Sequence, residues 1–253
     1  MDTDKRLIRC LGSSIIACLF ATLLIWDLSG APQAHGAGTE GRRGLELVGD
    51  GGPVRISGSI YPNRFNLGRH EGARYHLITW NGGTSDGALI ETEVDDLDFH
   101  DALIELGALP GNNLSMQSWD QRHDRNSISP EKRLEGSALS LKLEWAGGVL
   151  LRMEDAFRTV RVTEEAAREQ SEITWTFGGN RDRWFNNIPF SPRPGCLVCL
   201  YSCPSGKVGN GELSVAEYER FPTRFEVDIA KLPADGTEVT VVFEVVRQRP
   251  GNE

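Results

Sequence analysis

The sequence predicts a mainly β domain of the α+β class. Its antiparallel strands are expected to pack as a sandwich-like pair of sheets, with one conspicuous short helix. Apolar residues alternate with period two in five segments that end in turn residues, and one segment only shows strong helical spacing. With 39% hydrophobic and 25% charged residues, the 253-residue chain has the composition of a folded domain able to bury a core.

The chain opens on a targeting segment. Lys5, Arg6 and Arg9 precede the mostly apolar run "LGSSIIACLFATLLIW", residues 11–26. That run is shorter than the about 20 residues a membrane-spanning helix needs, and it fits the apolar region of a signal peptide. Ala34 and Gly36 supply small residues for cleavage after Gly36. The rival reading is an uncleaved N-terminal membrane anchor formed by residues 11–26. Residues 1–36 are thus read as the signal peptide or anchor, with Cys10 and Cys18 as leader residues. Either way the remainder is exported, to the periplasm or cell envelope.

A polar, glycine-rich linker occupies 37–44, and the folded domain is expected over 45–249. Its strands read in order. "PVRISGSIY" alternates Val54, Ile56 and Ile60 with polar neighbours. "ARYHLITWNGG" sets His76, Ile78 and Trp80 against Tyr75, Leu77 and Thr79. "ALSLKLEWAGG" puts Leu139, Leu141, Leu143 and Trp145 on one face, and "EITWTFGGN" and "TEVTVVFEVV" repeat the theme. In "DLDFHDALIELGALPG" the spacing of Phe99, Leu103 and Leu106 predicts a helix over 98–106, with Asp98 as N-cap, Gly107 as stop and Pro110 just beyond. Residues 162–172 and 214–222 are weaker helix candidates. The acidic run "EVDDLDFHD" (93–101) lacks the ligand pattern of a calcium loop and reads as a solvated helix start.

Charge narrows the partners. The acidic Asp2, Asp4 and Asp27 balance the leader's three basic residues, so the net charge of −9 belongs to the remainder. An acidic domain without a basic stripe repels phosphate backbones and anionic lipid, so no nucleic-acid partner is expected. Membrane contact is expected only through the N-terminal segment, and a protein of the envelope is the candidate partner.

All remaining cysteine lies in "GCLVCLYSCPSGKVGN" (195–210): Cys196, Cys199 and Cys203, followed by Pro204. Three chemistries suit such a cluster. As iron–sulfur ligands, the three cysteines and Pro204 reproduce the end of the run C-x2-C-x2-C-x3-C-P, but position 193, where the first cysteine would fall, is arginine. As zinc ligands they need one histidine from elsewhere. His76 is the first candidate for that fourth ligand. His70 and His123 lie in charged loops, and His100 in the first helical turn reads as solvated. As thiols in an oxidising compartment, two would pair as a disulfide and leave one over, and then no cofactor is expected. Flanking glycines and prolines predict a tight loop, and the three sulfurs are expected to converge.

The run "FHDALIELGALPGNN", after "HLITWNGG" and before "LSLKLEWAGG" and "ITWTFGGN", resembles the YdjY-like family of exported bacterial proteins over roughly residues 45–247. Its most specific element is the helix ending at Leu106 to Gly111. The resemblance implies the fold and the export, and a ferredoxin-type label carried by some members implies a cysteine-bound cluster.

No nucleophile elbow, metalloprotease helix, phosphate-binding loop or dinucleotide fingerprint is present. No residue is therefore assigned a catalytic role. The expected function is an exported accessory protein with a three-cysteine metal, iron–sulfur or redox loop, serving electron transfer or ligand binding. The alternative is a cofactor-free envelope module whose cysteine loop is disulfide-bridged. An enzyme with Cys199 or Cys203 as nucleophile ranks last for want of an identifiable base.

Export gives the first prediction. N-terminal sequencing of protein recovered from its own compartment should begin near Ala37, or the leader should persist as a single anchor in the membrane fraction. Full-length chain in the soluble cytoplasm would contradict both forms.

Overall fold

The computed structural model describes residues 42–247 except 50, 68–74, 113, 147, 161–172, 182–192 and 221–223. The leader with its two cysteines, His70 and the helix candidate at 162–172 lie outside the described residues. No helix among the described residues is long and apolar enough to cross a membrane.

The strands are β1 (Leu45–Leu47), β2 (Val54–Ile60), β3 (His76–Trp80), β4 (Ile90–Thr92), β5 (Ala138–Trp145) and β6 (Val149–Arg152) in the first half. Then come β7 (Phe157–Val160), β8 (Trp175–Phe177), β9 (Cys196–Cys199), β10 (Val208–Asn210), β11 (Arg224–Val227) and β12 (Thr237–Val245). The helices are α1 (Pro62–Leu67), α2 (Asp96–Glu105), α3 (Gln117–Asp120) and α4 (Val215–Arg220). All five segments with period-two alternation form strands, and the protein is mainly β.

The sandwich expectation is corrected. The main sheet runs β1-β2-β12-β5-β8-β10-β9-β3-β4, and β4 returns to pair with β2 through Ser59 opposite Glu91 and Ile60 opposite Ile90. With β1 and β6 outside the ring, eight strands close a barrel, a size whose interior side chains alone can fill. Nor is the sheet wholly antiparallel, since β9–β10 and β3–β4 run parallel. The seam rests on a three-residue strand, too short to show a period. A second, two-stranded sheet pairs β7 with β11.

Cross-strand rows identify the inner face. Val54, Phe243 and Leu141 stand side by side across β2, β12 and β5, as do Ile56, Val241 and Leu143. All six are at most 1% exposed. The opposite face carries the ion pairs Arg55–Glu144 and Lys142–Glu244. Phe99 of α2 meets the inner residue Phe243 edge-on, with ring centroids 4.9 Å apart, so α2 packs against the barrel interior.

The helix begins earlier than its spacing suggested. Asp95 is the N-cap, its carboxylate accepting from the Leu97 N–H at 2.8 Å, and Asp98 falls inside the first turn. At the other end Ala108 N–H reaches Leu103 O and Gly107 N–H reaches Ile104 O, with Gly107 at φ 90°. This paired pattern ends the helix where the Leu-Gly-Ala-x-Pro-Gly run predicted. The candidate at 214–222 forms α4, opened by a reciprocal capping box between Ser214 and Glu217.

The seam yields a test. A Cβ on Gly58 would lie 2.5 Å from the Glu91 carbonyl oxygen of β4. Gly58→Val should therefore force β2 and β4 apart and cost about 1–3 kcal/mol in urea unfolding. A variant as stable as the parent would refute closure at this seam.

Candidate functional site

The cysteine cluster is half strand and half loop, where a loop alone was expected. Cys196 and Cys199 begin and end β9, a strand buried along its whole length. β9 and β10 are parallel neighbours joined only by Leu200–Lys207, although a parallel connection usually takes about a dozen residues or more. The short connection must double back at once. Cys203 N–H bonds to Tyr201 O at 2.7 Å, a one-residue reversal, and Ser202 N–H is tied to Leu213 O. Cys203 is thereby returned beside β9.

A buried ionic clamp fixes both ends of this segment. Arg193 donates to Asp96 at 2.7 Å and also to Asp95, with its guanidinium stacked 4.4 Å from the Trp80 ring centroid. Lys207, 1% exposed, bonds to the other Asp96 oxygen at 2.8 Å. Burial works against the Asp95 charge, but Arg193 and the Leu97 N–H hold its carboxyl below the usual range. The acidic run is thus no solvated helix start at Asp96, which is 3% exposed.

The third contributor is β3. His76 stands opposite Cys199 and Thr79 opposite Cys196, with register shifts between that re-aim the intervening side chains. The charge of Cys196 acts on His76, whose Nδ1 lies 3.4 Å from Asp86 O. Ser85 Oγ is 3.0 Å from Cys196 Sγ, and Ser205 Oγ is 3.1 Å from Cys203 Sγ. Cys199 hydrogen-bonds to both other cysteines. The structure therefore brings His76 and all three cysteines together. Among the described residues it brings no other histidine there. His123 is exposed, and His100, expected in solvent, is 4% exposed with Nε2 3.2 Å from Gly179 O.

These contacts set the protons. The hydrogen bond from Cys199 and the charge of His76 outweigh burial and hold Cys196 well below the ordinary thiol value. Burial opposes ionisation of Cys203 too, but the bonds from Cys199, Ser205 and Tyr201 bring it down to about 6. Cys199, the donor to both, is pushed well up. Burial would strip the proton from His76, yet the Cys196 thiolate beside it lifts it to about 9. The centre is a thiolate–imidazolium pair with a shared thiol proton behind it.

A cavity of about 300 Å3 opens onto Cys196, Cys203 and His76, with Cys199 behind the wall. Its rim is aromatic: Tyr75 meets Trp119 at 5.8 Å and Tyr201 at 5.9 Å between ring centroids. Among the described residues, no group of three or more His, Cys, Asp or Glu side chains is placed so that it could hold a metal ion, and none of the three cysteines is disulfide-bonded. Nor does the donor set fit a four-cysteine iron–sulfur cube, because Arg193 stands where the first ligand would be and is committed to Asp95 and Asp96.

Two predictions follow from the clamp and the protons. Asp96→Ala strands Lys207 in the interior and should cost about 3–5 kcal/mol in urea unfolding, much of it recovered when Lys207→Met is added. In reduced, chelator-treated protein, the Cys203 thiolate should persist down to about pH 6, and His76→Phe should move the titration of Cys196 upward. The raised His76 value stabilises the fold at low pH, a contribution lost as pH rises through about 9. The lowered Cys203 value stabilises it at high pH, a contribution lost as pH falls through about 6.

Comparison with known proteins gives a family. The sequence matches the family described as the YdjY domain over residues 50–244. It is 28% identical over 173 residues to a protein of Escherichia coli (strain K12) described as "Uncharacterized protein YdjY", covering 68% of this chain and 67% of that protein. No solved structure matches.

Proposed function

The chain belongs to the YdjY domain family, whose matched span contains every residue of the thiol centre, and we propose that it is an exported, non-enzymatic accessory protein that binds a thiophilic metal ion. The donors are Cys196, Cys199 and Cys203, with His76 as the fourth. The observation that carries this reading is the convergence of three sulfurs and one imidazole from β3, β9 and the Leu200–Lys207 connection. Metal ligands bind deprotonated, and the hydrogen bonds among these donors already leave Cys196 and Cys203 poised as thiolates. An incoming cation would take the place of the shared thiol proton and of the proton on His76. The His76 contact to Asp86 O is the outer bond that commonly orients a ligating imidazole. Export is supported by the basic start and apolar run of the leader.

A second reading rests on Cys199, which touches both neighbours and could form a disulfide with either. The centre would then act as a redox or purely structural bridge without a cofactor. His76 also answers the missing-base objection to a cysteine enzyme, with Cys196 rather than Cys199 or Cys203 as its partner. No further group that would handle a substrate supports that reading.

Elemental analysis and thiol alkylation of natively exported protein separate the readings. Metal binding predicts bound metal and alkylation only after chelation. Cys203→Ser should release the metal while the barrel stays folded. A disulfide predicts metal-free protein with one alkylated cysteine. Three freely alkylated thiols in metal-free protein would sink both.

A further inference from the structure

We infer that the cargo of this centre is a soft monovalent cation of the copper(I) class, held by Cys196 and Cys203 and by the thioether of Met116, with His76 beside them. The inference rests on the metal-binding reading, names the ion and puts Met116 in the place of Cys199, which does not border the cavity.

Access comes first. Of the candidate donors, Cys196, Cys203 and His76 border the cavity, and so does Met116, whereas Cys199 does not. An ion entering from solvent therefore meets the residues that carry two thiols, an imidazole and a thioether, alongside the oxygen-bearing Ser85, Asp86 and Ser205. It does not meet four donors disposed as a tetrahedron, which is what a closed zinc site presents. Copper(I) is satisfied by two or three soft donors and needs no such frame.

Softness comes second. Thiolate and thioether ligands select copper(I), whereas oxygen donors suit magnesium, calcium and manganese. Met116 immediately precedes α3, between Ser115 and Gln117, and is only half-buried. Met116 lines the same cavity as Cys196 and Cys203 and is not among the residues of the buried core cluster.

The walls come third. Tyr75, Trp119 and Tyr201 make one side of the cavity, and Trp119 follows Met116 by one helical turn. Such a wall excludes water. A univalent ion neutralised by thiolates loses little on entry, while a strongly hydrated divalent ion loses much.

The test uses the full-length, reduced chain. It is loaded anaerobically with copper(I) or, separately, with zinc(II), and each is challenged with a chelator of that metal. Copper(I) should be retained more firmly than zinc. Even an outer-sphere partner of a metal ligand is worth about 10–100-fold in affinity, so Met116→Leu should weaken copper retention about tenfold or more and leave zinc retention unchanged. A direct reading needs no variant. Selenomethionine replaces all three methionines, and X-ray absorption at the copper edge should then show a selenium neighbour. Met153, fully buried, is excluded as its source if Met116→Leu removes the signal. Copper bound without a selenium neighbour, zinc preferred over copper, or a Met116→Leu protein that holds copper as the parent does would overturn the inference and leave the metal-binding reading standing. If the parent binds neither metal, or if Cys196→Ser with Cys203→Ser binds both unchanged, the metal-binding reading itself fails.

Discussion

One carboxylate organises the functional end of this protein. Asp96 receives Arg193 on one oxygen and Lys207 on the other, and these two cations bracket the cysteine segment. Asp96 also opens α2, whose Phe99 and Leu103 are fully buried in the core. A single buried group therefore ties the start of α2 to the points where the chain enters β9 and β10. Such ionic contacts add little net stability over an apolar replacement, because desolvation offsets the attraction. Their value here is positional. No apolar contact would fix both ends of a short, sharply reversed segment against one point on a helix.

The chemistry of the thiols follows from that placement. A parallel connection as short as Leu200–Lys207 must reverse, and the reversal carries Cys203 back to β9. Irregular pairing with β3 brings His76 to the same spot. Three thiols confined this closely cannot keep independent protons. The single Cys199 proton is shared between its two neighbours, and the charge so stabilised on Cys196 keeps His76 protonated. Each shifted value is a consequence of the others, so replacing any one of the four residues should disturb the remaining three.

The barrel and the centre serve different ends. Across β2, β12 and β5 the inner face is a closed apolar packing, leaving chemistry to the far side of the ring, where β3, β9 and β10 meet Trp119 of α3 and the flanking Tyr75 and Tyr201. Rigid strands hold Cys196, Cys199 and His76, and the connection supplies Cys203.

The sequence by itself determined the mainly β class, the five alternating strands, the α2 segment and its stop at Gly107. Each of these is encoded in residues close together along the chain, by period or by capping. It also singled out Cys196, Cys199 and Cys203 by spacing, and His76 as the first histidine to consider. Only the tertiary structure decided the rest. Barrel closure depends on the brief meeting of β2 with β4, and no local pattern records a two-residue pairing. In the sequence β9 has the pattern of a loop, because a strand buried on both faces shows no alternation. Asp96 and His100 were read as solvated because their partners, Lys207 and Gly179, lie far along the chain. Spacing proposes donors, but which of them share a proton is set by distances that only the folded chain defines.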